Sequence, residues 1–393
     1  MTQSKNSLKE QQVPTNFCTR PWTELHIEED GKTTPCCVMP SNRYPMGDTI
    51  KEYLTGQPLK ELKTAFLKNE KHPNCTYCWE NEKYNLPTHR VLYPTYRKDS
   101  KNIEKIHIRL NNVCNFKCRM CNPSFSTTWA IENNKHKYFS GHVDEEKSKN
   151  IFEKDPQLLE LFKGLIQNGS LKQINISGGE PLITDANAQL LTFLIDNNCT
   201  DISLSYSTNL SNLYYKKYNL RDLWKHFRDV NLLASCDGWG PQNEYGRSGF
   251  DTKVFLTNLK AAFPFVTQIC CVVNKYSVWT IPDLLKIMDK LGKRVTLNPC
   301  YDPPFTNAQS LPQELKEEIK ALYKHDRRLI KLYNDFISQS KPDNMKHFID
   351  YNLLLDQYRG TSFFNTFPQF KNYEYMSLGP SSLHKNVVYP SKK

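Results

Sequence analysis

Between residues 104 and 300, six short β-type runs alternate with amphipathic stretches, and this alternation constrains the fold more than any other feature of the chain. The runs span 105–110, 173–177, 201–207, 230–235, 266–273 and 294–298, and most are rich in Ile, Val and Leu. Between most of them lie stretches such as 187–195 and 282–291, whose apolar residues recur at helical spacing. Parallel strands need a crossover connection, usually helical, so the pattern predicts an α/β fold: a partial six-stranded TIM-like β/α barrel. Residues 1–95, rich in Pro, Asn and Cys with little periodicity, predict a small loop-rich module ahead of the barrel at 104–300. Residues 301–393 predict a helical extension, with helices over 315–336 and 347–358 and a tail broken by Pro368 and Pro380. No internal repeat is visible at a period of about 20–50 residues.

Thirteen cysteines need an explanation, and the compartment decides which. The first dozen residues, MTQSKNSLKEQQ, lack the apolar core of a signal peptide. Nowhere do the roughly 18 apolar residues of a membrane span run together. A cytoplasmic protein without a membrane partner is expected. In that reducing environment, clustered cysteines predict metal ligands or catalytic thiols, not a disulfide framework. A net charge of +11 favours an acidic partner, either nucleic acid or a small acidic electron-transfer protein.

Directly after the first barrel strand comes Asn111-Asn112-Val113-Cys114-Asn115-Phe116-Lys117-Cys118-Arg119-Met120-Cys121. A cubane cluster has four irons, so three thiolates on one loop leave one iron open to a small molecule. Ser177-Gly178-Gly179-Glu180-Pro181 follows the second strand, and Ser207-Thr208-Asn209 the third. Ser235-Cys236-Asp237-Gly238 follows the fourth, then Asn243-Glu244-Tyr245-Gly246-Arg247. Ligands of barrel folds bind at the C-terminal ends of the strands, where all of these motifs fall.

In order and spacing these motifs resemble the radical S-adenosylmethionine (SAM) superfamily. The resemblance implies that Cys114, Cys118 and Cys121 ligate a 4Fe-4S cluster whose open iron binds S-adenosylmethionine. It also implies that Gly178, Gly179, Glu180 and Pro181 meet the methionyl amino group, and that Ser207, Thr208, Asn209 and Ser235 contact the cofactor. Arg247 is the expected partner of its carboxylate, since a guanidinium can grip it bidentately. Asp237 and Glu244 are candidate proton acceptors from substrate, with cofactor contact or helix capping as the competing roles. One departure is Met120, where relatives usually carry an aromatic residue.

Ahead of the barrel stand Cys18, Gly31, Cys36 and the pair Cys75 and Cys78. This set resembles the auxiliary-cluster modules called SPASM and twitch, the shorter twitch form more closely, and implies a second 4Fe-4S cluster with all four irons ligated. Structural zinc is the competing reading, and Cys37 competes with Cys36 as ligand. Cys199, Cys236, Cys270, Cys271 and Cys300 fall in or beside apolar runs and predict core packing.

The resemblance implies reductive cleavage of S-adenosylmethionine to a 5′-deoxyadenosyl radical that takes hydrogen from a substrate. The substrate class it implies is a peptide or protein. An acidic donor such as flavodoxin or ferredoxin would supply the electron. Two other readings remain open: modification of tRNA or another nucleic acid, suggested by the charge and the Lys-rich tract 97–105, and a non-enzymatic zinc-binding interaction protein.

Overall fold

The computed structural model describes residues 14–39, 50–83, 88–92, 100, 102–137 and 145–377. The amino-terminal dozen, residues 97–99 and 101 of the 97–105 tract, and Pro380 lie outside them. By contact the chain divides into two units, Met1–Ile108 with Asp155–Asn175, and Arg109–Lys154 with Ile176–Lys393. Residues 301–377 thus group with 176–300, and the first unit also takes in 155–175.

The first unit is more regular than the composition of residues 1–95 predicts. Strand β1 (Glu24–Ile27) pairs antiparallel with the two-residue β2 (Thr33–Thr34) and parallel with β3 (Lys105–Arg109), His26 standing opposite both Thr34 and His107. Gly31, at φ +87°, makes the turn from β1 to β2, a backbone region that glycine enters without penalty. That reversal brings the chain from Cys18 back to Cys36. The helix Gln57–Leu67 buries Leu59, Leu62 and Phe66, a stripe at helical spacing that forms part of the small core. A second helix, Gln157–Gln167, buries Leu158, Leu159 and Phe162.

All six expected barrel runs form strands, displaced by no more than two residues at either end. After β3 these are β4 (Gln173–Ser177), β5 (Ser203–Thr208), β8 (Asp229–Ser235), β9 (Val266–Val273) and β10 (Arg294–Pro299); a short hairpin, β6 (Tyr214–Tyr215) with β7 (Tyr218–Asn219), was not expected. In the second unit the order is β10-β9-β8-β5-β4-β3, β4 and β3 contributing their C-terminal ends. Strands β5, β8, β9 and β10 pair in parallel. Apart from the hairpin, each barrel strand lies beside its neighbour in sequence. This is the winding of a β/α barrel and not the reversing order of a doubly wound sheet, so the fold is a partial barrel.

Burial alternates along β3, β4 and β8. On β5 and β8, Leu204, Tyr206, Leu232 and Ala234 are buried while Ser207, Asn231 and Ser235 are less so. Among the helices, 187–195 proves to be Asp185–Asp196 and 282–291 to be Ile281–Lys290. The expected helix 315–336 breaks into Gln313–Tyr323 and Arg327–Leu332, because the Asp326 side chain accepts the N–H of Arg328 and starts a new helix. Met345–Arg359 covers the last expected helix and ends at Gly360, φ +61°.

Two cysteine-lined cavities

The loop that follows β3 is held mainly through its backbone carbonyls. Thr128 Oγ1 donates to Cys114 O at 2.5 Å, Ser126 Oγ to Phe116 O at 2.5 Å and Trp129 Nε1 to Cys118 O at 3.0 Å. Cys121 N–H closes a turn onto Cys118 O at 3.0 Å. These donors belong to the start of the helix Thr127–His136 and to its cap Ser126, so one element fixes three points of the loop. The three thiols line a cavity of about 260 Å³.

Gly178 and Gly179 sit against this same loop. A Cβ on Gly178 would come within 2.4 Å of Asn111 O, and one on Gly179 within 2.3 Å of Val113 O. The close approach lets Gly179 N–H donate to Asn111 O at 2.9 Å and Glu180 N–H to Val113 O at 2.7 Å. The neighbour that requires glycine here is therefore the cysteine loop, a reason the sequence reading did not anticipate.

Glu180 is 1% exposed. Its Oε1 accepts from Thr208 Oγ1 at 2.6 Å and Leu182 N at 3.1 Å, and its Oε2 from Asn209 N at 2.5 Å. Burial pushes its pKa up to about 7 despite these three donors. The carboxylate so joins the ends of β4 and β5, with a lone pair left on Oε2. Ser177, Ser207, Thr208, Asn209 and Ser235 reach the same cavity wall, as does Met120; Pro181 is buried behind it.

Arg247 also lines the cavity. Its Nη1 meets Asp237 Oδ2 at 2.9 Å, while its Nε is buried without a hydrogen-bond partner. An unpartnered guanidinium N–H beside three thiols is a donor suited to an anionic ligand.

The two expected proton acceptors lie elsewhere. Asp237 spends both oxygens on structure, Oδ1 accepting from Val272 N at 2.9 Å and Oδ2 pairing with Arg247. Glu244 Oε1 accepts from Thr252 N at 3.1 Å and Thr252 Oγ1 at 2.6 Å, and so fastens the start of the helix Thr252–Ala261. Neither lines the cavity, so neither is kept as a proton acceptor.

The sequence reading missed a clamp from the C-terminal region. Arg119, wholly buried between two of the thiols, donates to Tyr245 O, Asn352 O and Oδ1, Asp356 Oδ1 and Thr361 Oγ1. Tyr351 Oη donates back to Arg119 O at 2.8 Å, and Arg359 Nη1 to Lys117 O at 2.9 Å. The only hint in sequence was a charged residue inside the cysteine triplet.

The second cavity belongs to the first unit. Cys18, Cys36, Cys75 and Cys78 line it, and Cys37 does not. Cys75 ends the turn Pro73–Cys75 and Cys78 lies on the helix Thr76–Lys83, three residues apart and so on one side. At about 30 Å³ the space is far tighter than the first cavity. Arg20, Arg90, Phe66 and Tyr77 complete the wall.

Burial raises the pKa of all seven thiols, to about 12 at Cys36, Cys114 and Cys121 and to about 11 at Cys18, and neighbouring thiols raise most of them further. A bound multivalent cation would favour their ionised form. Among the described residues no three His, Cys, Asp or Glu side chains stand at the spacing of one metal ion.

Residues 18–79 match the SPASM family, an iron-sulfur cluster-binding domain. The matched SPASM segment begins at Cys18 and contains all four thiols of the second cavity, whereas the sequence reading favoured the shorter twitch form. Solved structures similar to the chain include native anSMEcpe with bound AdoMet, at 16% identity over 66% of this chain and 67% of that one, TM-score 0.38. Another is Streptococcus suis SuiB bound to S-adenosylmethionine, at 14% identity over 72% and 62%, TM-score 0.38. SuiB bound to precursor peptide SuiA is similar at 14% over 67% and 58%, TM-score 0.38. No curated protein matches the sequence. No helix among the described residues is long and apolar enough to cross a membrane.

Proposed function

We propose that the protein is a radical SAM enzyme that takes hydrogen from a peptide or protein substrate, with a second cluster in the SPASM segment assisting electron transfer. The observation that carries this reading is the meeting of Cys114, Cys118 and Cys121 with the unpartnered Nε of Arg247 on one cavity at the strand ends. Three thiols leave one iron of a cubane open, and the guanidinium supplies what the carboxylate of an amino-acid cofactor needs.

The chemistry a bound cluster supplies is one-electron reduction of the sulfonium of S-adenosylmethionine, releasing methionine and a 5′-deoxyadenosyl radical. The chain's own residues do the rest. Asp237 holds the Arg247 fork by its Nη1, leaving Nε for the cofactor carboxylate. Ser207, Ser235 and Asn209 offer hydrogen bonds to its ribose. Glu180 sets the separation of two strand ends, and Phe116, Met120 and Phe125 keep water from that part of the wall. Cys18, Cys36, Cys75 and Cys78 would close all four irons of the second cluster, whose tight cavity has no space for an organic ligand beside it. The peptide or protein class of substrate follows from the resemblance to SPASM-bearing enzymes. The net charge of +11 suits an acidic electron donor of the flavodoxin or ferredoxin type, in the cytoplasm.

Anaerobic reconstitution with iron and sulfide tests the reading. The reduced protein is expected to cleave S-adenosylmethionine to methionine and 5′-deoxyadenosine, and Cys118→Ala to lose that cleavage while keeping the iron of the SPASM segment. A colourless protein holding zinc, or undiminished cleavage by Cys118→Ala, would overturn it.

A further inference from the structure

Two guanidinium groups line the SPASM cavity, and their surroundings differ. Arg90 is fully engaged: Nε and Nη2 bind Glu82, Nη1 donates to Thr15 O, and the group lies over the Trp79 ring, 4.8 Å from its centroid. Arg20, two residues after Cys18, is 6% exposed. Its Nη1 lies 3.0 Å from Glu24 Oε2 but is not aligned for a hydrogen bond, and no other acceptor serves it. Glu24 Oε2 instead meets His107 Nε2 at 3.1 Å. A buried donor with no acceptor is costly unless something fills the place.

We infer that Arg20 donates its free N–H to a sulfur of the cluster held by Cys18, Cys36, Cys75 and Cys78, and that it raises that cluster's reduction potential. The inference rests on the SPASM segment holding an iron-sulfur cluster. A cubane with four thiolates is already anionic and gains one more negative charge on reduction. A fixed cation and a hydrogen bond to sulfur both favour the reduced form, the more so in a cavity shielded from water. Arginine suits the place because its charge persists at any pH and its planar fork can serve Glu24 and a sulfur at once. Glu24 opposes the effect, and the charge of Arg90 is cancelled by Glu82 at close range. Arg20 and Glu24 are therefore positioning residues that set a potential between them.

The test is a redox titration followed by electron paramagnetic resonance on the full-length Cys114→Ala/Cys118→Ala/Cys121→Ala protein, so that only the SPASM cluster is read. Arg20→Gln is expected to lower the midpoint, so that at the parent midpoint the reduced fraction falls several-fold with iron and sulfide content unchanged. Glu24→Gln is expected to raise the midpoint, and Arg90→Gln to lower it by less than Arg20→Gln does. Where Arg20→Gln loads poorly, Arg20→Lys, which keeps the charge and loses the fork, is expected to fall below the parent. An iron-loaded Arg20→Gln with the parent potential, or shifts of the same sign in Arg20→Gln and Glu24→Gln, would overturn the inference alone. A protein that takes up zinc and no iron would overturn the cluster and the inference together.

Discussion

Arg119 Nη2 lies 2.7 Å from Asp356 Oδ1, so a residue inside the cysteine triplet is tied to the helix Met345–Arg359 near the far end of the chain. The ion pair is buried, 0% and 9% exposed on its two sides, and Tyr245 stacks on the guanidinium with its ring centroid 3.6 Å away. Removing one partner leaves an uncompensated charge in a low-dielectric interior. Asp356→Ala is expected to destabilise the protein by about 3–5 kcal/mol and to lower iron uptake by the triplet. Urea unfolding checks the first part; a loss below about 1 kcal/mol would mean that water or other groups take over the pairing.

The glycine pair gives a second prediction, with its own control. Gly179→Ala must push the cysteine loop away from a contact 2.3 Å from the new Cβ, and since that contact is backbone it cannot swing aside. A cost of about 1–3 kcal/mol and a loss of cofactor cleavage are expected. Gly360→Ala meets nothing within 4 Å and has only the positive φ against it, so about 1 kcal/mol and unchanged cleavage are expected. Equal losses from both would show that backbone conformation, not the loop contact, governs the site.

Adjacent cysteines are separated by a pair of single substitutions. Cys36 lines the SPASM cavity and Cys37 does not. Cys36→Ser is expected to lose the iron of that segment and Cys37→Ser to keep it, as read by iron analysis. The reverse pattern would exchange the assignment.

Glu180 predicts a pH dependence of stability. Its pKa in the folded protein, about 7, lies above the usual 4.5 because burial disfavours the charged form. Between those values the folded state binds more protons than the unfolded one, so stability falls as pH rises from about 4.5 to about 7. At roughly 1.4 kcal/mol per unit the loss is on the order of 3 kcal/mol. Glu180→Gln is expected to flatten that part of the profile in denaturation measured across the range; an unchanged slope would assign it to other groups.

The barrel was legible in the sequence because its strands carry β-branched and apolar residues in short runs, a signal that local pattern conveys. The thiol sets were legible through spacing. What local pattern could not convey was the use made of carboxylates. Asp237 and Glu244 sit at the right places along the chain, but only packing reveals that Asp237 is engaged by Val272 and Arg247 and Glu244 Oε1 by Thr252. The same holds for β1, whose four residues ELHI gain their strand character by pairing with β3 some 80 positions away. Gly178 and Gly179, noticed for close approach, line the first cavity and also pack against the protein's own loop, a contact that local pattern does not convey.

The clamp on the triplet has a temporal side. The side chains that restrain Arg119 lie up to 242 residues downstream. During translation the thiols emerge long before Asn352, Asp356, Arg359 and Thr361 have been synthesised. Until then the loop lacks those anchors, and metal captured by the nascent chain would meet an unshaped set of sulfurs. A ribosome-stalled fragment ending before residue 345 would carry every thiol of both sets without the helix that shapes the first.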